Sequence, residues 1–284
     1  MKKVVLTVAL CGLSSAALAA DLPSRAPPAV YAPPPPPIFT WTGYYIGVTA
    51  GYAFDQDHNF TLLGNTAAPA ADLAAGLRPG FVRDRSNGFT GGGELGYNYQ
   101  FSNTSYFGGT GGVVAGIEAD AAYVGPGSNS LYSAGAFNSF FHSRTEFVGT
   151  VRGRLGYAFN NFLIYGTGGF AYGGVDDTAA FYNAAGLNTY NGARSTIRTG
   201  YAYGGGVAYA IPTASFLNFF RSSAVTLKAE FIRYDLGTQS ILVPATTTGN
   251  SFTAQIKTQG NLIRAGLDYK IDFSGVPAPI VAKY

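Results

Sequence analysis

The 284-residue chain has one cysteine and one methionine, and both stand within its first eleven residues, as Met1 and Cys11. The rest of the chain therefore has no disulfide, no cysteine-ligated zinc and no thiol chemistry. Charge is equally scarce, at 12% of residues. Without Lys2 and Lys3, 16 basic residues face 15 acidic ones. Such a near-neutral balance speaks against a nucleic-acid partner. The only histidines are His58 and His142, with no His-x-x-x-His spacing and no carboxylate cluster beside them. No metal site and no cofactor are expected. Beyond the N-terminus, no apolar run reaches the ~18 residues of a membrane helix.

Glycine, tyrosine and phenylalanine are abundant, at 39, 20 and 21 residues. Mean hydropathy is slightly positive, +0.11. Few charges and many aromatics without a hydrophobic helix leave two all-β solutions. One is a soluble β-sandwich. The other is a transmembrane β-barrel, in which alternation dilutes the apolar residues.

Residues 1–20 read as a secretory signal peptide: Lys2 and Lys3, an apolar run from Val4 to Leu13, then Ala17-Leu18-Ala19. Cleavage is expected after Ala19 or Ala20. A lipid-modified Cys11 is disfavoured, because Leu10 fills a position that should be small. Residues 21–40 hold five consecutive prolines at 33–37. Proline fixes φ and removes donors, so this is a polyproline II spacer of about 50 Å rather than a strand. A P-x-x-P ligand is the alternative reading.

The stretch "FTGGGELGYNYQF" carries G-x-G-x-x-G at Gly91, Gly93 and Gly96. That spacing means dinucleotide binding only where a helix follows. Here Leu95, Tyr97, Tyr99 and Phe101 follow with period two, which is a strand. Seven more segments alternate in the same way. Their apolar registers start at Tyr44, Val113, Phe147, Phe162, Tyr201, Val225 and Ile263; the facing of the Phe162 segment is ambiguous. Each runs about 10–14 residues, enough for a tilted bilayer strand of ~9–11. Long connections are expected over 55–88, 125–143, 176–197 and 237–261. Shorter ones are expected over 102–112, 160–161 and 212–224, with Asn160-Asn161 a hairpin turn. Long loops on one side and short turns on the other match an outer-membrane barrel with both termini in the periplasm.

The opposite register holds the charges. Expected in the lumen are Glu94, Glu118, Asp120, Glu146, Arg152, Arg154, Lys228, Glu230, Arg264, Asp268, Lys270 and Asp272. A Lys or Arg facing lipid near the midplane costs ~2–4 kcal/mol, so this avoidance fits hydrocarbon outside. An eight-stranded barrel is just wide enough for side chains. Gly92 and Gly96 would leave room for Glu94, and aromatics would cover Gly91 and Gly93. In the seventh segment the apolar register switches from Phe231 to Ile232, Tyr234 and Leu236. Either a β-bulge sits near Phe231 or Arg233 and Asp235 reach the upper headgroups.

These segments resemble a known family. "PPPPPIFTWTGYYIGVTAGYAF", "GGGELGYNYQF", "VRGRLGYAF", "LIYGTGGFAYG", "LKAEFIRYDLG" and "NLIRAGLDYKIDF" look like the small outer-membrane β-barrels of alphaproteobacteria, akin to opacity proteins and the membrane domain of outer membrane protein A. The resemblance covers about residues 40–273. It implies an all-β, up-and-down, eight-stranded barrel over 41–273 in the Gram-negative outer membrane, with envelope-structural or surface-interaction roles and often a porin-family label. Family members end in an aromatic read by the barrel-assembly machinery. Phe273 fits that alternation, whereas the tail 274–284 ends at Tyr284.

The near balance of lumen charges favours mutual pairing over a solute-selective pore. His142, Ser143 and Glu146 suggest one enzyme, a lipid A acyl hydrolase or transferase. Neighbouring side chains on a strand point to opposite faces, which counts against it. Arg78, Arg83, Arg85, Arg144, Arg194 and Arg198 fall in the long connections or at the upper rim. There they would contact lipopolysaccharide phosphates or simply be solvated. The sequons at Asn59 and Asn103 are chance matches. Tyr44, Phe101, Phe159, Phe162 and Phe273 read as interfacial girdles. The reading is a non-catalytic outer-membrane barrel whose partners are outer-membrane lipids, lipopolysaccharide, the assembly machinery and surface ligands met through the loops. A narrow porin is the alternative, and a lipid A-modifying enzyme a distant one.

Overall fold

A computed structural model describes residues 39–101, 111–125, 127–211 and 224–271. The signal peptide, the proline-rich spacer up to residue 38, Asn103, Asp272, Phe273 and the tail with Tyr284 lie outside the described residues.

Among the described residues, nine strands form one antiparallel sheet: β1 (Gly43–Gly64), β2 (Phe81–Gln100), β3 (Gly111–Val124), β4 (Ser128–Ala134), β5 (Phe137–Phe159), β6 (Phe162–Tyr182), β7 (Asn188–Ile211), β8 (Val225–Pro244) and β9 (Ser251–Ile271). The order is β3-β2-β1-β9-β8-β7-β6-β5-β4, and β3 also pairs with β5. That last pairing closes a ring of eight strands, so the barrel has no free edge at this level. The short β4 continues the line of β3 beyond Gly125 and pairs with β5. Asn160, at φ 53°, makes the tight β5–β6 turn expected from Asn160-Asn161.

Phe39 and Ile271 lie at one end of the barrel, termed proximal. Near it the outward register is apolar: Tyr44, Ile46, Val48 and Tyr52 on β1, Leu95 and Tyr99 on β2, Ile164 and Phe170 on β6 are all exposed. The band spans about the 9–11 residues per strand that a bilayer requires. The ambiguous β6 resolves here, with Phe162, Ile164 and Phe170 outward and Leu163, Tyr165 and Ala171 inward. Aromatics ring the proximal end, where Tyr44 meets Tyr97 at 4.7 Å and Tyr157 meets Phe159 at 4.8 Å.

The strands run far beyond that band. Seven of the eight in the ring have 20–24 residues. The four connections expected to be long are mostly strand, which corrects the expectation of loops. In this distal half the sidedness inverts. Phe60, Leu62, Phe141, Phe181, Ile241, Val243, Phe252 and Ile256 point inward and form an apolar core. Arg83, Arg85, Asn191 and Arg194 point outward. Three strands accomplish the switch by bulges. Register shifts fall between Ala53 and Gln56 on β1, between Asp235 and Thr238 on β8, and between Thr145 and Phe147 on β5. An extra residue moves every later side chain to the other face. Asp55 and Gly237 accept positive φ, 47° and 73°, at two of these points. The bulge on β8 thus lies at Leu236 and Gly237, not near Phe231. Ile232, Tyr234 and Leu236 point inward because an apolar layer fills the barrel there.

The distal wall has a seam. The β2–β3 ladder ends at Thr90↔Val124, and no ladder joins 81–89 of β2 to β4 among the described residues. The Ser128 hydroxyl donates to Asp84 across it at 2.7 Å. The β1–β2 connection, which carries α1 (Ala67–Ala74), straps the seam. The Tyr132 hydroxyl donates to the Gly76 carbonyl at 3.0 Å, and Arg78 reaches β5 and β6.

A ladder closed on itself resists detergent until heated. Unboiled detergent-solubilised protein is expected to migrate differently from boiled protein in electrophoresis, and an unchanged migration would contradict the closed ring.

Candidate functional site: the filled lumen

Inside the apolar band lie four cations and five anions among the described residues: Arg152, Arg154, Lys228 and Arg264, with Glu94, Glu118, Asp120, Glu230 and Asp268. All are buried. They come from β2, β3, β5, β8 and β9, where alternation sends every second residue inward. Glu118 takes Arg152 at 2.6 Å, Lys228 at 3.0 Å, Arg154, and the Tyr45 hydroxyl at 2.7 Å. Glu230 takes Arg264 at 3.0 Å and the Tyr165 hydroxyl at 2.7 Å. Asp120 bridges Arg152 at 3.0 Å and Arg264 at 2.8 Å, and accepts from Thr150. Arg154 also lies over the Tyr165 ring at 4.1 Å. Glycine provides the room. A Cβ at Gly96 would collide with the Tyr45 ring and hydroxyl, so Gly96 makes space for Tyr45 rather than for Glu94. Gly91, facing out, is covered by the Phe89 ring.

Three carboxylates, Glu94, Glu118 and Glu230, converge closely enough to hold a metal ion. The Lys228 ammonium stands among them, 2.5 Å from Glu94, 3.0 Å from Glu118 and 3.6 Å from Glu230. That cation already supplies the charge that a metal would bring.

Apolar layers border the network. Toward the proximal mouth, Trp41, Val114, Ala158, Leu163, Tyr165, Ala208 and Ala210 pack together. Trp41 is held there by its backbone N–H donating to Gln100 at 2.9 Å. Phe39 packs edge-on to it at 5.2 Å. The mouth keeps a small pocket, lined in part by Asn98, Arg154, Asp268 and Lys270, with room for about one water. Trp41 had no assigned role in the sequence; its position just ahead of β1 was the available signal. On the distal side, Val124, Val148, Val175, Ile232, Tyr234, Leu236 and Leu262 seal the barrel.

Above that seal lies a second polar layer. The Ser143 hydroxyl meets His58 Nδ1 at 2.9 Å and Asp177 Oδ1 at 2.6 Å. Arg198 pairs with Asp177 and donates to Thr258 Oγ1 at 2.7 Å and the Ile256 carbonyl at 3.1 Å. His58 and Ser143 are 0% exposed. This is not a nucleophile arrangement. The serine proton goes to the carboxylate, and the carboxylate does not orient the histidine. His142 points the other way, to Asn129 at 2.8 Å.

Several sequence-based assignments are corrected. Glu146 is exposed, because the β5 bulge turns it out of the lumen. Lys270 lies at the proximal mouth, bonded to the Thr40 carbonyl at 2.9 Å, apart from the central network. Asp268, by contrast, is buried in the lumen where it was expected, beside Glu94 and Lys228 on the side toward that mouth. Arg78 is buried, 3% exposed, with its guanidinium on the Asn138 and Tyr182 carbonyls and over the Phe181 ring at 5.2 Å. Arg198 is buried in the polar layer. Neither can reach a lipid phosphate. His58 is interior, not in a surface loop. Arg83, Arg85 and Arg194 are exposed and Arg144 is half-buried. Arg85 pairs with Asp57 at 3.0 Å.

A closed ring of antiparallel strands, oily outside and ionic within, defines a transmembrane β-barrel. The comparisons place it. No family model matches the chain. It is 34% identical over 286 residues to the 31 kDa outer-membrane immunogenic protein of Brucella melitensis biotype 1, covering 95% of this chain and 100% of that one. The protein of the same name from Brucella suis biovar 1 matches equally. A 22 kDa outer membrane protein of Rhizobium leguminosarum bv. viciae is 31% identical over 150 residues, 51% of this chain and 52% of its own. Among solved structures, the outer membrane protein OprG of Pseudomonas aeruginosa covers 81% of this chain and 97% of its own, at 13% identity and a TM-score of 0.41. Neisserial surface protein A covers 81% and 98%, at 12% identity and 0.34. These two likenesses are weak, and the barrel stands on its own ladder. The chain is an outer-membrane β-barrel protein. It belongs to the family of the 31 kDa outer-membrane immunogenic proteins.

Removing Glu118 leaves Arg152, Arg154 and Lys228 short of a buried counter-charge. Glu118→Ala is expected to destabilise the barrel by about 3–5 kcal/mol. Urea unfolding followed by the fluorescence of the single tryptophan, Trp41, measures this; an unchanged midpoint would contradict the network's role.

Proposed function

We propose that this protein is a sealed, non-catalytic barrel that reinforces the outer membrane and carries an elongated, self-supporting domain on the cell surface. The observation that supports this reading is the filling of the lumen. Passing inward from the proximal mouth, a Trp41 layer, an ionic network, an apolar layer, a polar layer and a second apolar core follow in turn. A diffusing solute would have to break each of them, and the ionic one alone holds charges that cannot be separated cheaply. Among the described residues no continuous water-lined path supports the porin reading. The enzyme reading lacks convergence, since His142 and Glu146 face outward while Ser143 faces inward.

In this reading residues 1–20 are removed on export and 21–40 form a spacer in the periplasm, with both termini on that side. The long distal half then projects outward, as long extracellular segments do in this class. Phe273 or Tyr284 serves the assembly machinery. Arg83, Arg85, Arg144 and Arg194 stand just above the apolar band, where lipopolysaccharide phosphates lie, and guanidinium pairs with phosphate bidentately. Surface ligands would meet the distal connections.

In planar bilayers the purified barrel is expected to give at most brief flickers. A stable conductance that survives high voltage would replace this reading with the porin. Arg83→Ala with Arg85→Ala is expected to lower the lipopolysaccharide that copurifies with the barrel, measured per mole of protein. Unchanged retention would remove these two contacts.

A further inference from the structure

We propose that the polar layer around His58 is an acid-sensitive latch: protonation of His58 releases the distal half of the barrel, which parts along the β2–β4 seam while the membrane half stays closed.

The latch stands where the wall is weakest. Along 81–89 of β2 there is no ladder toward β4, so side chains bridge instead of backbone. Asp84 and Ser128 span the seam, and His58 is the cross-strand partner of Asp84 on β1. From there the contacts run around the wall: His58 to Ser143 on β5, Ser143 to Asp177 on β6, Asp177 to Arg198 on β7, Arg198 to Thr258 on β9. Thr258 is paired with His58 again, closing the circuit. Outward at this level are Asp57, Arg85, Arg144, Asp176 and Lys257, so the layer lies above the hydrocarbon.

The hydrogen-bond directions fix the tautomer of neutral His58. Ser143 has one proton, and it goes to Asp177 at 2.6 Å. Its oxygen must then accept from His58 Nδ1–H at 2.9 Å. In the neutral ring Nε2 is then the bare nitrogen, fully buried, with no hydrogen-bond partner among the described residues. A second proton would place an unpaired N–H in this layer beside Arg198. The groups facing His58 are Gln56 and Asp57 on its own strand, Asp84 from β2, Ser128 from β4, Ser143 and the outward His142 from β5, Asp177 from β6, Arg198 from β7 and Thr258 from β9. Burial first, then Arg198, pushes the imidazole down from 6.5 to about 4.

The proton thus prefers the opened state. The stability held by neutral His58 is complete above pH 6.5 and declines as pH falls toward 4. Asp177 works the other way. Burial holds its carboxyl above the usual range, so its protonation offsets part of the loss near pH 4. The net expectation is a roughly 10- to 100-fold drop in protection between pH 7 and pH 4.

The test is hydrogen exchange by mass spectrometry on the full barrel in lipid nanodiscs at pH 7 and pH 4, corrected for the intrinsic rate. Peptides covering 56–64, 81–88, 128–145 and 252–258 are expected to lose protection by that factor. Peptides covering 44–52 and 225–231 are expected to keep it. His58→Asn, which preserves a donor toward Ser143 but does not titrate, is expected to abolish the pH dependence. His58→Gln serves if that variant assembles poorly. Equal protection of the distal peptides at both pH values in the wild type would overturn the latch. So would the same loss in the histidine variants.

Discussion

An eight-stranded barrel has room inside for its own side chains and little else, so whatever points inward must find its partner there. Water cannot settle the account in the hydrocarbon layer, and a charge left single at that depth is expensive. Glu118 shows how the constraint is met, with Arg152, Arg154, Lys228 and Tyr45 all gathered on its two oxygens. The glycines of β1, β6 and β7 follow from the same demand. Large side chains on one strand require short ones beside them, and Gly206 lies between its cross-strand neighbours Tyr165 and Glu230 for that reason.

The membrane half was legible because two signals coincide there. Alternation sets the register, and hydrocarbon forbids charge on one of the two faces, so Glu94, Glu118, Asp120, Arg152, Arg154, Lys228, Glu230 and Arg264 separate cleanly from Leu95, Ile117, Val151 and Leu227. The distal half was not legible because the second signal disappears. Water tolerates either residue type, and the bulges reset the register unseen. Glu146 shows the consequence: parity alone assigns it inward, and one extra residue turns it out. Phe60, Leu62, Ile241 and Val243 look like scattered apolar residues of surface loops until the Asp55 and Gly237 kinks are known. A left-handed aspartate is uncommon, yet nothing in "AFDQDH" announces it. Arg78 and Arg198 were placed on the surface for the same reason, since a residue thought to lie in a loop carries no expectation of burial.

Two solvents thus divide one continuous sheet. Below the bulges the strands obey the bilayer, oily outside. Above them the same strands obey water, oily inside. The transition cannot be abrupt, because an inverted pattern brings an apolar core over an ionic one. The layer of Ile232, Tyr234, Leu236 and Leu262 separates the ion network from the His58 layer, and the His58 layer absorbs the polar residues that the bulges turn inward. The seam between β2 and β4 falls in the upper region, where the strand line of β3 breaks at Gly125 and Gly127. A gap in the ladder is tolerable in water, which can satisfy the exposed N–H and C=O groups. In lipid it would not be.

The ionic interior also answers why the membrane half is not simply apolar on both faces. Apolar residues in both registers would satisfy lipid and core alike. A strand could then slip by one residue without penalty, since the two faces would be interchangeable. With Glu118 and Asp120 on β3, a one-residue slip against β2 would carry both carboxylates into hydrocarbon and leave Arg152 and Arg264 unpaired inside. The same slip on β8 would expose Lys228 and Glu230. Every strand that contributes a charge is thereby pinned to a single register by its partners on other strands. Within the membrane half β1, β6 and β7 carry no charge, and there they have only their apolar outer faces and the fit of Tyr45 and Tyr165 to hold them. Pairing ions inside the barrel thus specifies the order and alignment of strands more than it adds to their cohesion, and the ladders between charge-bearing β2, β3 and β5 run without a register shift from β2 to β3 and from β3 to β5.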